Sequence, residues 1–108
     1  MELKVALELT IKLWDFLAED ADNEKDDHPD YDETYYPLFS SCPLCEYSAN
    51  SEKTTADCTV CPLGIAGQAC DNDDSLFAQW GFQENDSLRT AAAKGIADIC
   101  RKALSELN

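Results

Sequence analysis

The stretch that decides the fold is Cys42-Pro43-Leu44-Cys45, followed after twelve residues by Cys58-Thr59-Val60-Cys61-Pro62-Leu63-Gly64. Two Cys-x2-Cys pairs at this separation have the spacing by which four thiolates bind one zinc ion tetrahedrally. A proline beside each pair, together with the glycine, favours the tight turns that point backbone amides at sulfur. The spacing therefore predicts a structural zinc site with the ligands Cys42, Cys45, Cys58 and Cys61.

Two further cysteines need a place. Cys70 is a fifth candidate ligand, and four positions cannot hold five thiolates. The four cysteines of the two pairs are the preferred ligands, and Cys70 is the candidate substitute for one of them. The sequence does not settle which of the five cysteines is not a ligand. Cys100 is interpreted as a small core residue on the last helix.

The two pairs also admit two disulfides, or a redox-active dithiol of the thioredoxin kind. Disulfides need an oxidising compartment. Glu2, Lys4 and Glu8 interrupt any signal-peptide core, which predicts a cytoplasmic protein. A redox pair is expected between a strand and a helix, whereas these pairs lie among Ser, Asn, Thr, Asp and Gly. Neither alternative matches the sequence as well as zinc does.

Both ends of the chain have the pattern of helices. In the first helix, nearly all residues outside one strip are apolar. The charged residues of that strip recur at helical spacing; they are Lys4, Glu8, Lys12, Asp15 and Glu19. An apolar arc this wide indicates a helix buried on more than one side, and it leaves a homodimer through this helix open. At the other end, Asn85 or Asp86 caps a helix whose buried stripe includes Leu88, and Gly95 allows helix one to approach closely.

We therefore predict a single zinc-stabilised α domain over residues 1–108 with little or no sheet. Its N- and C-terminal helices pack together around a zinc-binding middle. The expected order is helix 1–20, acidic loop 21–34, zinc-binding region 35–70, short helix 75–80 ended by Gly81, and helix 87–107. No regular structure is expected between the cysteine pairs beyond a turn or short hairpin. His28 is expected to be a solvated loop residue.

The charge is strongly one-sided. The chain carries 22 acidic residues against 8 basic ones, a formal net charge of −14, and ten of the acids lie between Asp15 and Glu33 with only Lys25 to oppose them. Direct nucleic-acid binding needs a cationic surface, so this field argues against it. The negative field instead favours a partner protein with a basic surface. The candidate contact residues are Asp20, Asp22, Glu24, Asp26, Asp27, Asp30, Asp32 and Glu33.

Catalytic motifs are absent from the sequence. A zinc ion held by four thiolates has no open position for an activated water. The only histidine is followed by Pro29 and Asp30, which does not match the zinc-deaminase motif, and there is no phosphate-binding glycine loop or nucleophile elbow. No apolar run is long enough to span a bilayer. The sequence therefore predicts a soluble protein that is not an enzyme and makes no use of a membrane.

The order of motifs resembles that of a group of small Cys-rich bacteriophage proteins, most of them uncharacterised. The resemblance covers about residues 10 to 70, and its most specific parts are Cys42-Pro-Leu-Cys45-Glu46-Tyr47 and Cys58-x2-Cys61-Pro62-Leu63, followed by Cys70. It implies an accessory protein acting in the bacterial cytoplasm, and it implies a role for Cys70.

Three functional hypotheses follow. The first is a zinc-stabilised acidic protein that binds and modulates a host nucleic-acid-binding or defence protein, with carboxylates imitating the phosphates of DNA. The second is a zinc-ribbon adaptor that binds nucleic acid through the four bases near the C-terminus, Arg89, Lys94, Arg101 and Lys102. The third is a Cys-x2-Cys dithiol oxidoreductase, which requires a thiol of lowered pKa and no bound metal.

Overall fold

The computed structural model describes residues 2–38, 41–49, 60–68, 74–82 and 84–107. Within these ranges the chain is mostly helical and contains no β-strand. The helices are α1 (Leu3–Glu19), α2 (Pro43–Ser48), α3 (Pro62–Ile65), α4 (Leu76–Phe82) and α5 (Asp86–Glu106). A 3-10 turn (Lys25–Asp27) and a π-helical turn (Tyr31–Tyr35) lie between α1 and α2. The predicted α class, with the first and last helices packed together, is confirmed for this part of the chain.

Among the described helices, the two long ones, α1 and α5, form the largest contact. They run antiparallel, because Leu3 at the start of α1 lines the same groove as Glu106 and Leu107 at the end of α5. Asp15 in the last turns of α1 pairs with Arg101 in α5. Just beyond α1, the carbonyl oxygen of Ala21 accepts a hydrogen bond from Arg89, which is near the start of α5. The expected contact between acids of the first helix and bases of the last is therefore present, in the pair Asp15–Arg101.

Other elements cover the remaining sides of α1. The helix α2 packs against it, and the hydroxyl of Tyr35 donates a hydrogen bond of 2.8 Å to the carbonyl oxygen of Leu9. Among the large apolar side chains of α1, Val5 is the one that stays exposed, at 43 %. Most of the wide apolar arc of α1 is therefore covered by other parts of the same chain. Little of it is exposed for the homodimer contact through α1 that the sequence allowed.

The described helices share one core. Its fully buried side chains include Leu7, Leu13 and Leu17 of α1, Leu44 of α2, and Ile96 and Cys100 of α5. The helices α3 and α4 contribute Leu63 and Trp80. The placement of Cys100 in the core is confirmed.

Several details of α4 and α5 differ from the prediction. Asn85 is the N-cap of α5, since its side chain accepts a 3.1 Å hydrogen bond from the amide of Leu88, but the Leu88 side chain itself is 56 % exposed and does not belong to the buried stripe. The close approach at Gly95 is made by Leu76 of α4 and not by α1: a Cβ at Gly95 would lie 3.0 Å from a Leu76 methyl. Gly81 does not end α4, which continues through Phe82.

The middle of the chain is more regular than expected. Residues 46–48, assigned to an irregular loop, complete α2, because Cys42 and Pro43 start a helix there. The acidic loop contains the two short helical turns. Residues 50–57, the rest of the predicted loop between the cysteine pairs, lie outside the described residues. In the part of the chain that is described, no helix is both long and apolar enough to cross a membrane.

Candidate functional site

The acidic segment, residues 20–36, leaves the end of α1 and folds back against it. It holds all eight acids that the sequence indicated as partner contacts. Seven of them are exposed, and Asp30 is half-buried. The segment is attached to the helices at three places, each of which uses a side chain that the sequence did not single out for this purpose.

His28 makes the first attachment. It is 7 % exposed, with its ring edge-on to Phe16 of α1 at 5.0 Å and to Tyr35 at 5.2 Å between centroids. Its Nδ1 accepts a 3.0 Å hydrogen bond from the amide of Asp30. The expectation of a solvated histidine is therefore wrong. Burial lowers the pKa of His28, with a further lowering by Lys12 and an opposing influence of the Asp30 carboxylate.

Arg89 makes the second attachment, from α5. Its side chain is 15 % exposed, and it donates hydrogen bonds to the carbonyl oxygen of Ala21 and, at 2.9 Å, to the carboxylate of Glu24. The same guanidinium lies 4.5 Å from the ring centre of Trp80 and donates to the Trp80 carbonyl oxygen at 3.0 Å. Charge-assisted hydrogen bonds of this kind are stronger than neutral ones, so Arg89 holds the segment to both α4 and α5.

Contacts along α1 make the third attachment. The side-chain amide of Asn23 donates to the carbonyl oxygen of Phe16 at 2.9 Å, and Lys12 pairs with Asp30 at 2.6 Å. The hydrogen bond from Lys12 lowers the pKa of Asp30. Lys25 is placed over two aromatic rings, 5.6 Å from the centre of Trp14 and 5.0 Å from that of Phe77. The one base within the segment therefore faces the core and not the carboxylates around it.

These attachments divide the eight acids into two groups. Four make hydrogen bonds or ion pairs inside the chain: Asp20 accepts from the amide of Asp22, Asp27 accepts from the amide of Glu24, Glu24 pairs with Arg89 and Asp30 pairs with Lys12. The other four are exposed and form no ion pair with the described residues; they are Asp22, Asp26, Asp32 and Glu33. The second group contains the carboxylates of the segment that are directed to solvent.

One cysteine of each pair directly precedes a short helix. Cys42 is the N-cap of α2 and Cys61 the N-cap of α3, each followed directly by proline. The backbone amide of Cys45 points at the Cys42 sulfur, with 3.4 Å between nitrogen and sulfur. This is the contact that the turn residues predicted. A hydrogen bond from the Cys45 side chain lowers the pKa of Cys42, against the opposing effect of burial.

Three of the four predicted zinc ligands, Cys42, Cys45 and Cys61, lie among the described residues, while Cys58 and Cys70 lie outside them. Considering only the described residues, no group of three or more His, Cys, Asp or Glu side chains is arranged to hold a metal ion. The four-thiolate zinc site therefore stays a prediction.

The basic residues of α5 do not form a cationic surface. Arg89 is occupied with the acidic segment, and Arg101 pairs with Asp15 and, at 2.9 Å, with Asp98. Lys94 and Arg101 share a cleft with Asp15 and Glu19. Because acidic residues lie beside these bases, the arrangement favours binding of a partner with a basic surface over direct binding of nucleic acid.

Comparison with known proteins found no matching family model, no similar curated protein and no similar solved structure.

Proposed function

We propose that this chain is a non-catalytic, zinc-stabilised acidic interaction protein, encoded by a bacteriophage and acting in the bacterial cytoplasm. Its partner is a host nucleic-acid-binding or defence protein with a basic surface, which it modulates by imitating DNA. The supporting observation is the acidic segment, which is attached to three helices and turns four carboxylates outward. Enzymatic activity is not part of the proposal.

Attachment matters because an unstructured acidic stretch and a fixed one bind differently. A mobile segment has to be ordered when the partner binds, and fixing the backbone of each residue costs about 1–2 kcal/mol. In this chain His28 and Arg89 already hold the backbone of the segment, so binding avoids much of that backbone cost. Fixed carboxylates attract a cationic cleft by the same Coulomb force that draws phosphate to it, and the attraction falls with added salt.

Zinc belongs to the proposal as a stabiliser of the middle of the chain. Cys42, Cys45, Cys58 and Cys61 are the residues that would hold it, and Cys70 is the candidate replacement if one of these four is not a ligand. The support is the amide of Cys45 pointing at the Cys42 sulfur and the proline-started helices after Cys42 and Cys61. Since α2 packs on α1 and α3 packs on α5, an ion shared by the two pairs would join both long helices through their neighbours.

The test is affinity capture with a matched control. The test variant neutralises the outward acids (Asp22→Asn, Asp26→Asn, Asp32→Asn and Glu33→Gln). The control removes four exposed acids elsewhere (Glu2→Gln, Glu8→Gln, Glu84→Gln and Asp86→Asn). The wild-type chain and both variants are immobilised, exposed to bacterial lysate at about 50 mM salt, where phosphate-like attraction is strongest, and washed with rising salt. Bound proteins are identified by mass spectrometry.

We expect wild type and control to retain the same nucleic-acid-binding protein, which short duplex DNA displaces, and we expect the test variant to lose it. Equal losses in both variants would mean that only total charge matters, which contradicts the proposal. Recovery of no nucleic-acid-binding protein from any sample would also contradict it.

A second candidate function is a dithiol oxidoreductase, favoured by one observation: the Cys42 and Cys45 side chains are within hydrogen-bond contact at the start of a helix. In that reaction the two thiols would give two electrons and two protons to a disulfide substrate and become a disulfide themselves. Elemental analysis separates the candidates. One zinc per chain excludes the dithiol reaction, and a metal-free chain that reduces a small-molecule disulfide excludes the structural ion.

A further inference from the structure

An open apolar groove lies at the end of the domain where α1 begins and α5 ends. It has a volume of about 680 Å³, and its walls come from α1, α3, α5 and Tyr47 of α2. Seven large apolar side chains are exposed among the described residues, and three of them line this groove: Val60 at 44 %, Ile65 at 72 % and Leu107 at 49 %. Apolar side chains gathered in this way mark an interaction surface.

The position of the groove separates it from the acidic surface. Leu3, the first residue of α1, lines the groove, whereas the acidic segment starts beyond the other end of that helix. The segment folds back along α1 as far as Lys12, which pairs with Asp30 and lies nine residues from Leu3. Nine residues of helix span about 13 Å, which exceeds the Debye length of about 8 Å at physiological ionic strength. Salt therefore weakens the field of the acidic segment at the groove.

The charges on the rim of the groove are balanced. Lys102 and Glu106 lie one turn apart on α5, both exposed and both lining the groove. Neither forms an ion pair within the described part of the chain. A basic partner would meet Lys102 and an acidic one would meet Glu106, so a partner of either charge leaves one like-charge contact.

A second copy of the same chain satisfies both rim charges. If two α5 helices cross antiparallel with a two-fold axis near Ala103 and Leu104, Lys102 of each copy stands opposite Glu106 of the other. A two-fold interface repeats every contact twice, so the pair of charges is self-complementary. The same arrangement brings Ile65 and Leu107 of each copy to the apolar groove of the other.

We propose that this groove is a homodimer interface, in which the Lys102 and Glu106 side chains pair across the two-fold axis. The two acidic segments then begin at the ends of the two α1 helices that are remote from the interface, and salt screens much of their mutual repulsion. This interface differs from a seam along α1, because it uses only the first turn of that helix. It does not involve the partner proposed for the acidic segment, but one wall of the groove is α3, which begins directly after the predicted zinc ligand Cys61.

The test measures the association state by sedimentation velocity and light scattering from about 1 µM to about 1 mM protein, the range in which a small interface associates. We expect a dimer at the upper end for wild type. Ile65→Glu puts a charge into the apolar groove and weakens dimerisation by about a hundredfold or more. Leu88→Glu, at a residue 56 % exposed outside the groove, is the matched control and leaves the dimer intact.

The rim pair allows a second test. Lys102→Glu and Glu106→Lys each place like charges opposite one another, so each variant alone should dimerise at least about tenfold more weakly. Mixing the two variants restores opposite charges at both contacts, and we expect a heterodimer to form. A wild type that stays monomeric at every concentration overturns the proposal, as does a mixture that associates no better than its separate components.

Discussion

The guanidinium of Arg89 and the carbonyl oxygen of Ala21 are joined by a hydrogen bond across 68 residues of sequence. Because the same side chain also pairs with Glu24 and covers the Trp80 ring, one residue connects the acidic segment with α4 and α5. This connection has a measurable consequence for stability.

We expect Arg89→Ala to lower the free energy of unfolding by about 2–3 kcal/mol, because it removes charge-assisted hydrogen bonds and a cation–π contact from a side chain that is largely buried. Urea unfolding followed by tryptophan fluorescence measures the effect. Lys94→Ala, at an exposed position on the same helix, is the control and should stay within about 0.5 kcal/mol of wild type. Equal effects of the two substitutions would show that Arg89 does not hold the segment.

Acid should destabilise the fold through His28. Its pKa in the fold is lowered from the ordinary value of 6.5, so above that pH the histidine is neutral in both states and stability is undiminished. As the pH falls below 6.5 the unfolded chain binds a proton that the folded chain takes up less readily, and stability is lost. Protonated Nδ1 would also direct a hydrogen at the amide of Asp30, which now donates to it.

Urea midpoints at about pH 7.5 and about pH 5.5 test this effect. His28→Asn keeps an acceptor for the Asp30 amide but does not titrate, so its midpoint should change less between the two pH values than that of wild type. Identical changes in the two proteins would assign the acid sensitivity to the carboxylates instead.

Two helical glycines should respond differently to alanine. A Cβ added at Gly81 would meet no atom within 4 Å, so Gly81→Ala should gain about 0.5–1 kcal/mol from helix propensity alone. At Gly95 the new Cβ would lie 3.0 Å from Leu76, which must move, and the gain should be smaller or absent. Gly95→Leu should destabilise by about 1–3 kcal/mol through overpacking. Thermal unfolding of the variants ranks them, and a larger gain at Gly95 than at Gly81 would contradict the packing of α4 on α5.

Cysteine substitutions test the predicted zinc ion. Cys45→Ser should remove the metal and unfold the middle of the chain, since structural zinc contributes on the order of 10 kcal/mol to small domains. Cys100→Ser, at a core position with no exposure, should cost about 1 kcal/mol and leave the zinc content unchanged. Metal analysis with circular dichroism measures both. Similar losses in the two variants would show that the ligand set is wrong.

The two tyrosines at the end of the acidic segment form a matched pair. Tyr35 is fully buried and its hydroxyl donates to Leu9, whereas Tyr36 is 68 % exposed. Tyr35→Phe should cost about 0.5–1.5 kcal/mol, the net contribution of one hydrogen bond, and Tyr36→Phe should be close to neutral. Thermal unfolding of both variants tests this. A neutral Tyr35→Phe would mean that the hydrogen bond to Leu9 is no more favourable than a hydrogen bond from the hydroxyl to water.

Elements whose pattern is local were predictable. The width of the apolar arc on the first helix indicated burial on several sides, and Asn85 was one of two residues expected to cap the last helix. Both signals depend on spacing within one helix, which a sequence states directly.

Contacts between distant residues were not predictable. Nothing within a few residues of His28 indicates that Phe16 will lie beside it, so an isolated histidine before proline gave no reason to expect burial. Leu88 was placed in the buried stripe because helical spacing puts it there, but α4 and α1 cover other parts of α5. The division of the acids into internal and outward groups likewise depends on Arg89 and Lys12, whose partners only the fold identifies.

The anchoring of residues 20–36 by a side chain 68 positions downstream has a consequence for biosynthesis. On the ribosome the acidic stretch emerges long before Arg89 does. The attachments through His28, Asn23 and Lys12 use only residues up to 36, whereas the attachment through Arg89 can form only after α5 has been translated. Products that stop short of α5 should therefore hold the segment at two of its three places.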